Sequence, residues 1–298
     1  MEQQGIHAEK KSWYDQYYKL LLIIPLSLLA LSLVYLFFFY QEHGDIMRKD
    51  VSLSGGTTIT LRGDVDRVSL EQTLRKEIPD ISVRTITELR TGKLVAVIVE
   101  SSVSPEVLQP ALSRALGYQL TKENSTTEFT GSSLSSNFYR QLVIAMIFSF
   151  VLISLVVFVM FRTTIPSFAV VFAVFANIAM PLALVNLLGI KLSAAGIAAF
   201  LMLIGYSVDT DILLTSRVLK KREGSVNERI FGAFKTGIFM TITGLLAIIP
   251  AFVLVTGLPD SFRQIFLILG LGLGTDILNT WLTNASILKW YTDKRGIT

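Results

Sequence analysis

The chain has 298 residues, of which 51% are hydrophobic and only 17% charged, with a mean hydropathy of +0.56 and a net charge of +4. An ordinary soluble domain carries about 25% charged residues, so this composition excludes a simple soluble protein, and the weak charge does not suggest nucleic-acid binding. Without cysteine there are no disulfides, thiol nucleophiles or cysteine-ligated metals, and the two histidines, His7 and His43, lie outside the apolar blocks, so neither a metal site nor a cofactor is expected.

The apolar blocks are long enough for the ~20 residues that a membrane-spanning helix needs. In chain order they predict a polytopic α-helical membrane protein. A cytoplasmic N-terminal segment (1–18) leads into a first span at Lys19–Tyr40, too long for a signal-peptide core and read as an uncleaved anchor. Residues 41–140 form one soluble domain. Five further spans at Gln141–Phe161, Pro166–Leu188, Leu192–Ser216, Phe231–Val255 and Phe262–Trp290 make a bundle over 141–290, followed by a tail at 291–298.

Orientation follows from the short loops. Arg217, Lys220, Lys221, Arg222, Arg229 and Lys235 gather between spans four and five. Lys10, Lys11 and Lys19 precede span one, Arg162 lies between spans two and three, and Lys294 and Arg295 follow span six. Six spans put all these segments on one side, the cytoplasm by the positive-inside rule, with both termini inside and residues 41–140 outside.

The outer domain has a legible pattern. Thr57–Leu61 alternates as a strand, and Ser69-Leu70-Glu71-Gln72 resembles a capping box opening a helix to about Ile78. Ile81–Leu89 and Leu94–Val99 read as strands joined by a turn at Thr91-Gly92. Ser104-Pro105-Glu106 opens a second helix that ends at Gly117, and a last strand falls within Tyr118–Thr130. The order βαββαβ predicts a ferredoxin-like α+β domain. Asn124-Ser125-Thr126 is a glycosylation acceptor pattern on this face.

Acids inside spans are costly and often mark ion or proton pathways. Asp209 and Asp211 lie in span four within Gly205-Tyr206-Ser207-Val208-Asp209-Thr210-Asp211, and two residues of helix set them about 200° apart. Each is read either as a titrating carboxylate or as an interfacial acid paired with the basic loop. Asp276 falls near the middle of span six, before Asn279 and Asn284, as a relay site or a hydrogen-bond hub. Lys235, early in span five, is a partner for the acids or a positive-inside anchor. Gly270 and Gly274 suit close helix packing. Pro181 and Pro250 are expected to kink spans three and five, and Asn177 and Asn186 to bond to neighbouring helices. Gly55 and Gly56 permit a tight approach of the backbone at the start of the outer domain.

One span, an outer domain opening with Leu53-Ser54-Gly55-Gly56-Thr57, five further spans and the Gly205–Asp211 segment together resemble the SecD/SecF family of protein-export membrane proteins, relatives of the RND transporters. The form Asp-Thr-Asp looks like the archaeal members of the SecF branch. The resemblance implies a SecD partner with the same six-span layout, work at the SecY translocon on secreted polypeptides, and coupling to the proton gradient across the cell membrane, without enzymatic activity. It also implies a relay acid in the Asp209–Asp211 segment. Where bacterial relatives tend to carry arginine this chain has Lys235, which can lose its proton when buried. An RND-type half-transporter of small molecules or lipids is the alternative. An intramembrane aspartyl protease fits poorly, because Gly272-Leu273-Gly274-Thr275-Asp276 is one residue longer than the Gly-x-Gly-Asp segment those enzymes need.

Overall fold

Six helices among the described residues are long and apolar enough to cross a membrane: Trp13–His43, Ser132–Phe161, Thr164–Leu187, Ala194–Lys220, Val226–Phe252 and Phe262–Arg295. The computed structural model describes residues 13–63, 65–87, 94–221, 223–254 and 260–297. The expected turn at Thr91-Gly92, the strand end at Leu89, and His7, Lys10, Lys11, Arg222 and Val255 lie outside them.

The first membrane helix is built from α1 (Trp13–Leu21) and α2 (Ile23–His43). A short α3 (Val51–Ser54) leads to β1 (Gly56–Arg62), α4 (Arg67–Arg75), β2 (Ser82–Thr87), β3 (Leu94–Ser101), α5 (Pro105–Leu116) and β4 (Ser125–Thr130). The remaining helices are α6 (Ser132–Phe161), α7 (Thr164–Leu187), α8 (Ala194–Lys220), α9 (Val226–Leu254), α10 (Asp260–Leu278) and α11 (Ala285–Arg295), the last two joined by a π-helical turn, Asn279–Asn284. Helix α6 starts at Ser132 rather than at the expected Gln141, because its polar first turns pack beside α3, where Ser135 is buried.

The strands form one antiparallel sheet in the order β2-β3-β1-β4. Alternation places Ile59, Leu61, Val83, Val97 and Val99 on one face, where they pack with Leu70 and Leu74 of α4 and Leu108 and Leu112 of α5. Each such side chain removed from water contributes roughly 1.5–3 kcal/mol. Helix α4 begins earlier than the Ser69 pattern indicates. Asp66 is its N-cap, accepting from the Val68 amide at 3.0 Å, and Ser69 lies inside the first turns. Ser104, Pro105 and Gly117 bound α5 as the sequence suggests.

In the membrane bundle α7 is the most enclosed helix. Its small residues Ala169, Ala173, Ala176 and Ala179 let neighbouring helices approach closely. Helices α7 and α9 run through Pro181 and Pro250 without interruption. Helix packing between α8 and α10 goes through Gly272, whose α-carbon lies against Leu203, whereas Gly270 and Gly274 face open space.

A hydrogen-bonded strap joins the sheet domain to the bundle. Asp50 N donates to Leu192 O at 3.0 Å and Leu192 N to Arg48 O at 2.6 Å. Asn186 Nδ2 donates to Ile46 O at 2.8 Å, and Ala194 N to Ser52 Oγ at 3.1 Å. Beneath the strap, Met47 and Leu53 enter a core with Leu182, Val185, Leu192 and Phe200. Gln264 of α10 ties the same loop from below. Its Oε1 accepts from Ser193 N at 2.8 Å and its Nε2 donates to Lys191 O at 2.6 Å.

Gly55 and Gly56 turn the chain from strap to sheet with φ of 84° and 137°. A Cβ on Gly56 meets Val51 Cγ1 at 2.8 Å and Ser102 Cα at 2.9 Å, and one on Gly55 meets the backbone of Ser132. Gly56→Ala is therefore expected to cost about 2 kcal/mol or more, read as a lowered thermal midpoint. Gly131→Ala, at an open position with ordinary φ, should leave the midpoint unchanged, and equal midpoints for the two variants would refute the account.

Asp80 supplies a pH-dependent contact outside the spans. Burial opposes its charge, but Ser101 Oγ (2.8 Å) and Ser102 N (2.7 Å) donate to the carboxylate and hold its pKa below the ordinary 3.8. The stabilisation is complete above the unfolded value and disappears as pH falls through the lower folded one. Hydrogen exchange at the β3 amides should show Asp80→Asn less protected than wild type at pH 7, by under about 1 kcal/mol given its exposure, with the gap closing as the pH falls below the ordinary 3.8.

Candidate functional site

Two acids that the sequence places in separate spans meet inside the bundle. Asp211 on α8 and Asp276 on α10 are both fully buried and within electrostatic reach of each other. Helix α8 is started by Ser193, whose side chain accepts from the Gly196 amide, and carbonyls at its other end are met by Arg229. Arg229 Nη1 donates to Val218 O at 3.0 Å and to Lys221 O at 2.5 Å, and Arg217 Nη1 donates to Gly232 O at 2.5 Å. The basic loop thus fastens α8 to α9, and among its described residues none pairs with the acids.

Asp276 sits in a ring of neutral donors. Asn177 Nδ2 of α7 donates to Oδ1 at 2.8 Å, Thr210 Oγ1 of α8 donates to Oδ2 at 3.0 Å, and Thr280 Oγ1 of the π turn donates to Oδ1 at 3.2 Å. Asn177 is itself held. Its Nδ2 also donates to Ser207 Oγ at 2.6 Å, and its Oδ1 accepts from Asn279 Nδ2 at 2.5 Å. Hydroxyls and amides solvate a carboxylate without fixing its charge.

Asp211 is held more sparsely. Asn284 Nδ2 donates to its Oδ1 at 2.8 Å, while among the described residues no hydrogen bond reaches Oδ2. Asn284 Oδ1 and Thr215 Oγ1 are likewise buried and unpartnered. Among the described residues no ion pair joins either acid to a lysine or arginine. A pair of carboxylates enclosed in hydrocarbon without a counter-ion needs a proton or a small cation for charge balance.

The other sequence candidates lie apart. Asp209 is on the exposed side of α8, with Met202 and Gly205, as the 200° offset from Asp211 requires. Tyr206 leans toward Gly244 of α9, and Val208 packs with Val170, Val174 and Ile204. Ser207 alone of Gly205, Tyr206, Ser207 and Val208 touches the acid network. Lys235 is exposed, its ammonium 5.6 Å from the ring centre of Phe231, and it does not reach the acids. Gly55 and Gly56 shape the strap, and Thr57 Oγ1 donates to Val103 O at 2.6 Å.

Sequence reasoning missed Lys289. This buried lysine of α11 bridges Asp15 of α1 at 2.8 Å and Asp293 at 3.0 Å, and Asn227 Nδ2 of α9 donates to the same Asp15 at 2.9 Å. The clasp ties three helix ends at the face of the bundle opposite the sheet domain. Asp293 is a local i,i+4 partner, but Asp15 and Asn227 are far from Lys289 in sequence, and no local pattern marks them.

Comparison with known proteins agrees with this architecture. The family described as "Protein export membrane protein SecD/SecF, C-terminal" matches residues 112–294. The protein-export membrane protein SecF of Methanolacinia petrolearia is 36% identical over 279 residues, 93% of this chain and 95% of that protein. SecF of Methanothermobacter thermautotrophicus is 36% identical over 286 residues, 94% of each. In fold, the chain superposes on the crystal structure of SecDF, a translocon-associated membrane protein from Thermus thermophilus, with a TM-score of 0.74 at 20% identity. It covers 96% of this chain and 39% of the length of that one. On its own sequence relatives, then, this six-helix membrane chain belongs to the SecF family of protein-export membrane proteins.

Proposed function

We propose that the chain acts as the SecF subunit of an export machine, pairing with SecD in the cell membrane and promoting late movement of secreted polypeptides through the SecY channel. The termini lie in the cytoplasm, and the domain at about residues 41–140 lies outside as a ferredoxin-like unit, a reading supported by its strand order. No enzymatic step is part of this role. The observation that carries the proposal is the buried pair Asp211–Asp276, on two packed membrane helices, surrounded by neutral donors.

Uptake and release of a proton by this pair is the coupling step. In the charged state, Asn177, Thr210 and Thr280 solvate Asp276 and Asn284 solvates Asp211. When a proton arrives, one carboxyl loses its need for these donors, and the hydroxyls of Thr210 and Thr280 can rotate to other acceptors. The donors come from α7, α8 and the π turn and the carboxylates from α8 and α10, so protonation alters what holds those helices together. The upper ends of α8 and α10 meet at Ser193 and Gln264, directly under the strap, which gives a mechanical route to the outer domain. Asp209, on the outer side of α8, faces SecD.

The test scores export of a secreted reporter and recovery of a SecD-like protein from native membranes. Asp211→Asn and Asp276→Asn should each lower export about tenfold or more, equivalent to at least ~1.4 kcal/mol in the limiting barrier, with the partner still recovered. Asp209→Ala should instead reduce partner recovery, and Lys235→Ala should change neither. Normal export from both Asp211→Asn and Asp276→Asn would remove the basis for coupling at this site.

A further inference from the structure

The turn between α10 and α11 is π-helical, with the Ala285 amide donating to Thr280 O, five residues back. Its consequence is rotational. Eight residues of continuous α-helix would carry Asn284 about 80° around the axis from Asp276. The π turn takes up one residue, about 100° of rotation, and returns Asn284 to within about 20° of Asp276. Asp276, Thr280 and Asn284 therefore stand in one column toward α8, where Thr210 and Asp211 receive them.

The turn is held from behind. Trp281 points the other way, its indole lying over Gly237 of α9 and edge-on to Phe234 at 5.2 Å. Below it, Lys289 anchors α11 to Asp15. With both sides fixed, the register of Asn284 opposite Asp211 is set by the backbone and does not depend on a flexible side chain.

Resting on the reading of Asp211–Asp276 as the coupling pair, we propose that Asn284 is a positioning residue for Asp211, brought to it by the π turn. A carboxamide suits both states of its neighbour. Its N–H donates to the carboxylate, and its unpartnered Oδ1 can accept from the protonated acid after the amide turns. A leucine offers neither group and an aspartate only acceptors. The titratable group facing Asp211 from the packed helices is Asp276. Helix α7 contributes the neutral Asn177, and Lys235 and Arg229 of α9 are turned elsewhere.

The experiment reads the carboxylic C=O stretch by infrared difference spectroscopy against pH, on the full chain with its co-purified partner in liposomes. Asp211→Asn assigns the band. Asn284→Leu is expected to move that band's midpoint by about one pH unit or more, a tenfold change in proton affinity, and Asn284→Thr, which keeps a donor and an acceptor, to restore most of the wild-type profile. Asn284→Ala reports the same shift without added bulk should the leucine variant fail to assemble. A wild-type midpoint in Asn284→Leu or Asn284→Ala overturns the proposal. A shifted midpoint together with normal export from Asp211→Asn leaves the positioning role standing and overturns the coupling reading instead.

Discussion

A carboxylate enclosed by membrane helices has no water to turn to, and this constraint organises the bundle. Asp276 has to be solvated by protein, and its donors come from three different segments: Asn177 on α7, Thr210 on α8 and Thr280 in the π turn. Side chains this short reach one carboxyl only if the backbones come close. The alanines of α7 and the absence of a side chain at Gly272, which admits Leu203, provide that approach. The small-residue composition of these helices and the position of the acid are therefore one feature seen twice. Helices α2, α6 and α9 hold no part of the acid ring and leave broad apolar faces uncovered.

The same helices carry the sheet domain. Residues 46–52 pair with the loop between α7 and α8 through backbone bonds, and Gln264 fixes that loop to α10. At the opposite face of the bundle, Lys289, Asp15 and Asn227 close the ends of α1, α9 and α11. Between these two fastenings Asp211 and Asp276 are the buried carboxylates of the bundle among the described residues. A change there acts on α8 and α10 against fixed points, which is the arrangement a lever requires.

Much of this was legible in the sequence, for definable reasons. Span count and approximate limits follow from hydropathy, and the strands of the outer domain from two-residue alternation, because both signals are local. The intramembrane acids stand out because charge is rare in such segments. Which acids meet was not legible. Helical periodicity separates Asp209 from Asp211 by about 200°, yet only packing against α10 shows that Asp211 is the inner one. Lys235 looked like a partner by depth alone and is turned outward. The strap, the Lys289 clasp and the column of Asp276, Thr280 and Asn284 all depend on contacts distant in sequence or on one π turn, and neither leaves a repeating pattern.

The contrast between Asp209 and Asp211 carries the argument one step further. The two acids share a motif, but one is enclosed by its own chain and the other opens onto the exposed side of α8 beside Met202 and Gly205. A carboxylate at that depth facing lipid is costly, and the cost is relieved by snorkelling or by a protein that covers it. Gly205 has open space where a side chain would stand, so a helix can approach α8 closely at the level of Asp209. An open glycine position beside an uncovered acid is a poor surface for lipid and a good one for a second membrane protein with a polar group to offer. The inner acid is enclosed within the chain, and under the proposed function the outer one is covered by the partner, so that the two residues would divide coupling from assembly along a single turn of helix.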